Sequence, residues 1–260
     1  MGGKPKFKPS AKPTNNNNTI TKQDLPSSTT SPSHRIPNNW PQEIRFLTDH
    51  AYTPAALLLQ PQLSRAPSDN SCDPWSKIPS HLIHATTPHI QITTITNPLH
   101  PACAQRGLFA ASDLLPDTFI LLYLGLVHTN SLSDTDAHSD YDLSLDRDIG
   151  LSVDASTMGN ESRCANDYRG VAERPNAEFR DCYVQVPSAK RADGVRWERR
   201  VGIFVLSAGK VGNVKRRRGI LRGEEVLVSY GKGFWEGRQL LGMFRKDEEM
   251  AKTAKQALEH

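Results

Sequence analysis

A polar run at residues 159–168, Gly-Asn-Glu-Ser-Arg-Cys-Ala-Asn-Asp-Tyr, falls between two apolar stretches and holds Asn166 and Asp167 flanked by Arg163 and Arg169. Polar side chains carried between rigid strands are where binding chemistry concentrates, although a plain surface turn has the same composition. Asn166 offers two donors and an acceptor. Tyr230 ends the strand-like run Glu225-Val226-Leu227-Val228-Ser229, and Gly231 frees the backbone directly after it. Phe234 and Trp235 follow, aromatic planes that either stack on a flat ligand or pack a helix. Gly107 permits either a close backbone approach or a tight turn. These are groups that bind and orient a ligand. No Ser-His-Asp order, phosphate-binding glycine loop or metal-ligand cluster competes with them.

The elements that must position these residues are short. His89-Ile90-Gln91-Ile92-Thr93-Thr94-Ile95 alternates as a half-buried strand does. Further strands are expected at 106–110, 119–125, 141–145, 151–154, 177–186, 200–206 and 225–230, separated by turn residues. The result is a β-rich domain with little helix inside it. Residues 40–63 read as partly helical, with Pro41 opening the helix and Pro54 breaking it. From Trp235 the pattern becomes an amphipathic C-terminal helix through Leu240, Leu241, Phe244, Met250 and Ala254. Residues 1–39, rich in Pro, Ser, Thr, Asn and Lys, form a disordered tail.

Composition narrows the setting. A hydrophobic content of 37% and a mean hydropathy of −0.53 are low for a chain that is globular throughout, which agrees with the tail. The net charge of +4 is unevenly spread. Seven aspartates against one arginine lie between 134 and 154, and eleven Lys/Arg against Asp193 and Glu198 lie between 190 and 222. Cys72, Cys103, Cys164 and Cys182 are too widely spaced for a zinc pair, and a secreted disulfide framework would be denser. The longest apolar run, 119–127, is far short of the roughly 20 residues that span a bilayer. The N-terminus carries lysines without an apolar leader core, so neither secretion nor a membrane is expected.

Four pieces occur in a fixed order: Arg106-Gly107-Leu108-Phe109-Ala110; Tyr123-Leu124-Gly125; Asp154-Ala155 with the polar run to Asp167; and Gly223-Glu224-Glu225-Val226-Leu227-Val228-Ser229-Tyr230-Gly231. Each is weak alone. In this order and spacing they resemble the SET domain of protein lysine methyltransferases, over about residues 88–236. The resemblance implies a mainly β fold with minor helices, a SET-like β-clip in which the Asn166 and Tyr230 segments cross in a pseudoknot. It divides the chain into a tail (1–39), a helical or irregular flank (40–87), the SET-like domain (88–236) and a C-terminal helix (237–260).

The resemblance further implies S-adenosyl-L-methionine as cofactor, held by Arg106, Gly107, Phe109, Tyr141, Arg163, Asn166, Asp167 and Trp235. Tyr230 would sit beside the transferred methyl group, and Tyr123 would line a lysine channel. The chain departs from the family pattern at Gln105, where the first glycine of a Gly-x-Gly is usual, and at Asp167, where a His is usual. No three cysteines follow Tyr230 to gather a zinc, so closure of the channel falls to the C-terminal helix. A free lysine has a pKa of about 10.4, and deprotonating it at pH 7 costs roughly 4–5 kcal/mol. An aromatic channel and a nearby cation lower that cost, so no dedicated base is needed. The acidic 134–154 segment suits a basic protein substrate such as a histone tail. The basic stretch 210–218, with Lys210 and Lys215-Arg216-Arg217-Arg218, reads as a nuclear-localisation patch, a nucleic-acid contact or a soluble hairpin. A nuclear placement fits best, with the cytoplasm as the alternative. The competing functional expectation is a catalytically inactive SET-like module that binds chromatin or a protein partner.

Overall fold

The structure is a computed structural model of the 260-residue chain and describes residues 36–64, 75–83, 88–188, 194–209 and 218–238. The strands are β1 (Arg45–Phe46), β2 (Ala51–Tyr52), β3 (Ser76–Ile78), β4 (Ile90–Thr94), β5 (Arg106–Ala110), β6 (Phe119–Leu122) and β7 (Leu126–Thr129). They continue with β8 (Asp142–Asp146), β9 (Leu151–Asp154), β10 (Met158–Gly159), β11 (Asn166–Asp167), β12 (Ala177–Pro187), β13 (Val195–Val205) and β14 (Leu227–Val228). Among the described residues, helix is confined to α1 (Pro54–Leu59), α2 (Ser80–Ile83), two 3-10 turns, and residues 218 and 232–238.

The strands gather into small sheets. β12 and β13 form a long antiparallel hairpin from Ala177↔Val205 to Pro187↔Val195, with β3 beside β12 and β6 beside β13. A second sheet has the order β2-β7-β9-β8, and β4 pairs β5. The alternation expected in β4 holds, with Ile90 and Ile92 buried and Gln91 and Thr93 exposed. Leu108, Ala110, Ile203, Ile220, Val226 and Val228 pack one core cluster between these sheets. Gly125 must be a glycine, because a Cβ there would collide with the backbone carbonyl of Asp154.

Two readings change. Residues 40–53 are not helical: β1 pairs β10 and β2 pairs β7, so tertiary pairing overrides the apolar spacing. Pro54 starts α1 rather than breaking a helix. Thr53 Oγ1 accepts from Ala56 N at 3.2 Å, and a first-turn proline lacks only an N–H that the helix does not use. The expected strand at 119–125 ends at Leu122 as β6, and β7 begins only at Leu126, after Tyr123-Leu124-Gly125. Residues 1–35 and 239–260, where most of the expected tail and of the expected C-terminal helix fall, lie outside the described residues.

β11 and β14 pair in parallel, with Asn166 opposite Leu227 and Asp167 opposite Val228. Asn176 fastens this crossing, donating to Glu225 O at 2.7 Å and accepting from Leu227 N at 2.8 Å. Two stretches far apart in sequence are thereby joined, as the motif order requires. The described residues are mainly β.

Candidate active site

β11 and the residues that follow β14 line a cleft of about 660 Å³. Arg106, Tyr141, Arg163, Asn166, Asp167, Tyr230 and Trp235 line it, and Phe234 and His100 join them. Gly107, Phe109 and Tyr123 do not. The space above Gly107 is taken by the chain itself, since a Cβ there would lie 2.7 Å from the Phe109 ring and 2.8 Å from Glu225 Oε1. Tyr123 is buried beneath the wall, and its hydroxyl donates to Tyr141 O at 2.7 Å. A second groove of about 510 Å³, between β4 and β6, contains none of the expected site residues.

Tyr230 is half-buried, packs its ring edge-on against Phe234 at 4.9 Å, and donates its hydroxyl to Ala165 O at 2.9 Å. Burial pushes its pKa well above the ordinary phenol value, with Tyr141 and Asp167 adding in the same direction. Burial does the same for Tyr123, helped by Tyr230 and Asp154. Both phenols stay protonated at neutral pH and cannot serve as bases. Cys164 is no nucleophile either, because burial pushes its thiol up to about 11.

Asp167, in the position where the resemblance leads one to expect a His, is a clamp. Its carboxylate accepts from Tyr230 N at 2.7 Å, Arg169 N at 2.9 Å and Trp235 Nε1 at 3.3 Å, and it pairs with the Arg169 guanidinium at 3.0 Å. The charge is neutralised in place, and the same contacts fix the entry into the helical residues 232–238. Arg163 lies 4.3 Å over the Tyr141 ring and donates to Ala155 O and Ser156 O. Arg106 donates through Nε to Asn39 O at 2.8 Å. Arg238 pairs with Asp140 across the cleft.

The acidic 134–154 segment uses most of its charge internally. Asp134 accepts from Thr53 and Thr129, Asp142 from His128, and Asp154 from Ser139 and Ser156, while Asp146 pairs with Arg199. These ties order the segment, while Asp136, Asp140, Asp142 and Asp148 remain exposed. The basic stretch 210–217 lies outside the described residues, and Arg218 pairs with Glu224.

Sequence reasoning named Glu225 only as part of a motif and did not single out His100. Glu225 Oε1 accepts from Asn166 Nδ2 at 2.8 Å, and Oε2 lies 3.0 Å from His100 Nε2. A lone His before a proline carries no periodic signal, and its partner lies on a distant segment.

Among the described residues no group of three or more His, Cys, Asp or Glu could hold a metal ion, and no helix is long and apolar enough to cross a membrane. No protein-family model matches the chain, and no curated protein does. Among solved structures it is similar to polycomb repressive complex 2 of Chaetomium thermophilum, at 23% identity and a TM-score of 0.38, over 56% of this chain and 16% of that one. It is also similar to the same complex in an autoinhibited conformation bound to S-adenosylmethionine, at 22% identity and a TM-score of 0.40, over 62% and 17%. The chain spans about a sixth of the length of these matched chains.

Proposed function

We propose that this chain transfers a methyl group from S-adenosyl-L-methionine to the side-chain amine of a lysine in a protein. The observation that carries the reading is the β11–β14 pairing, which brings Asn166 and Tyr230 to one wall of one cleft. The cleft suits the cofactor in size, lying within the roughly 300–1,000 Å³ of small-molecule sites. It also suits it in chemistry, with the Asn166 amide, the aromatic faces of Tyr230, Phe234 and Trp235, and the Arg106 guanidinium all on its walls. Asn166, Arg106, Tyr141 and Trp235 would hold it. When bound, it supplies an electrophilic methyl group on a positively charged sulfur.

The chain's own residues then orient and desolvate. The Tyr230 hydroxyl spends its proton on Ala165 O, which leaves its lone pairs as acceptors for a polarised group in the cleft. With both phenols protonated, the incoming amine must lose its proton to water, helped by apolar surroundings that disfavour an ammonium. Alignment of two reactants in such a site supplies about 7–11 kcal/mol. A basic, histone-like tail is the substrate class, with exposed Glu43 on the cleft available to receive it, and a nuclear setting follows from that class.

The test is a labelled-methyl assay on histones and whole-cell extract. We expect incorporation by the unmodified chain, a loss of about 100-fold or more in Tyr230→Phe, and loss of cofactor binding in Asn166→Ala. Absence of S-adenosylmethionine binding by calorimetry to the folded chain would overturn the reading. One observation favours a second reading, a catalytically silent SET-like binding module: Tyr123 lies outside the cleft with its hydroxyl engaged by Tyr141 O. Cofactor binding without methyl transfer to any lysine-rich substrate would support it.

A further inference from the structure

We infer that Glu225 and His100 are positioning residues that hold Asn166 as a pure hydrogen-bond acceptor toward the cleft, so that this wall selects a ligand presenting a cation or an N–H. Where the ligand is taken to be S-adenosylmethionine, the inference rests on the function proposed above.

The orientation of Asn166 is dictated by its neighbours. Its Nδ2 lies 2.8 Å from Glu225 Oε1 and 3.3 Å from Arg106 O. Both are acceptors only, so both amide hydrogens face them, and a flipped amide would set oxygen against oxygen. Asn166 Oδ1 accepts no hydrogen bond among the described residues and is the atom left for the cleft. Neither the amide alone nor its position in the motif determines this.

His100 completes the chain of contacts. Its Nδ1 accepts from Ala102 N at 3.0 Å, so that nitrogen carries no proton and Nε2 must carry it. The imidazole is therefore a neutral donor to Glu225 Oε2 at 3.0 Å. The carboxylate meets two neutral donors and no guanidinium among the described residues, and it keeps its charge directly behind the amide. With side chains only 6% and 9% exposed, little water screens that charge. Hydrogen bonds in series polarise one another, so a carboxylate pulling on Asn166 N–H enriches Oδ1 in electron density. Gly107 provides the room, since a side chain there would strike Glu225.

The experiment uses the full chain with Glu225→Gln, His100→Leu and His100→Gln, the last of which retains an N–H donor. Calorimetry with S-adenosylmethionine and S-adenosylhomocysteine should show Glu225→Gln and His100→Leu weakened by about tenfold or more, the loss expected for one charge-assisted hydrogen bond. His100→Gln should stay within about threefold, and kcat should stay within about threefold where KM rises, because a lost binding contact need not alter the chemical step. Unchanged affinity in Glu225→Gln and His100→Leu, or equal losses in His100→Gln and His100→Leu, would overturn the inference. A second measurement needs no ligand. Nitrogen-15 NMR should show His100 protonated at Nε2 and the Asn166 amide hydrogens protected from exchange, with that protection lost in Glu225→Gln. An Nδ1–H tautomer, or a freely exchanging Asn166 amide in the unmodified chain, would overturn it as well. If these signals are as expected but the unmodified chain binds neither nucleoside, the cofactor reading falls while the relay stands.

Discussion

Glu198 is buried inside this β domain and Glu225 is part-buried at its cleft, and the surroundings of the two carboxylates differ completely. Glu198 is fully buried and ion-paired twice, with Arg200 at 2.7 Å and with Arg196, and it also accepts from Tyr52 Oη at 3.2 Å. Arg200 in turn reaches Asp49 at 3.0 Å and Tyr52 Oη at 2.8 Å, so the cluster docks the 49–52 segment onto β13. Some of its polar atoms, His50 Nε2 and Arg200 Nε, find no hydrogen-bond partner among the described residues. Glu225 instead meets the neutral donors of His100 and Asn166, and no buried atom of that trio lacks a partner. A charge sealed in the core must be neutralised by opposite charge, at a desolvation cost that only good geometry recovers. A charge set one side chain back from a cleft can be left unneutralised, and its field then acts on whatever enters. The sealed cluster holds the fold; the open one shapes the site.

Breaking the sealed cluster has the largest expected effect. Arg200→Met leaves Glu198 buried with one cation fewer, and such single removals cost about 3–5 kcal/mol. Guanidinium denaturation of the full chain measures this directly. Replacing both partners, with Glu198→Leu and Arg200→Met together, should recover most of the loss and leave ligand affinity unchanged. Glu225→Gln should behave in the opposite way, with a small change in stability and a large one in binding. If the double replacement weakens ligand binding as much as Glu225→Gln does, the division between the two clusters fails.

That division could not be read from the sequence, although much of the frame could. The alternation in β4 and the strand character of β5, β9 and the β12–β13 hairpin were legible because side-chain periodicity records which face is buried. The crossing of the Asn166 and Tyr230 segments was legible only through the order of several weak motifs. The strands at 45–46 and 51–52 were not legible, because two-residue pairings are set by the partner strand rather than by local preference. Glu198 and Arg200 lie in a basic stretch at the start of an expected strand, and only the fold shows that both side chains enter the core. His100 and Glu225 likewise acquire meaning only when a turn and a distant motif meet. The exclusion of Tyr123 from the cleft follows from the break between β6 and β7, which a continuous apolar run conceals.

Asp167 stands between the two extremes and sharpens the contrast. Its side chain is 5% exposed, and it has one guanidinium partner, Arg169, together with the neutral donors Tyr230 N and Trp235 Nε1. Asp167→Asn keeps the shape but turns an N–H₂ toward a donor, either Arg169 or the Tyr230 N–H. Leaving a buried donor without its acceptor costs about 1–3 kcal/mol, less than the loss at Arg200. The loss should be local, loosening Tyr230 and Trp235, so Trp fluorescence should report it at lower denaturant than global unfolding. Coincident transitions would show that Asp167 supports the whole fold as Glu198 does.

The smallest effect separates two histidines rather than two carboxylates. His128 Nε2 lies 3.0 Å from Asp142 Oδ1, and its Nδ1 lies 2.9 Å from Thr129 O. Both ring nitrogens face acceptors, the reverse of His100, whose Nδ1 faces an N–H. The geometry therefore favours an imidazolium at residue 128. The Asp142 hydrogen bond raises its pKa from 6.5 to about 8 against the opposing effect of burial, with the Thr129 carbonyl helping. A folded pKa above the unfolded one stabilises fully below pH 6.5 and loses that contribution as the pH rises through about 8. The contribution at stake is about 1–2 kcal/mol. Unfolding free energies measured between pH 6 and 9 should fall across that window in the unmodified chain and stay flatter in His128→Gln. An equal slope in both proteins would place the proton uptake elsewhere and remove the contrast between the two histidines.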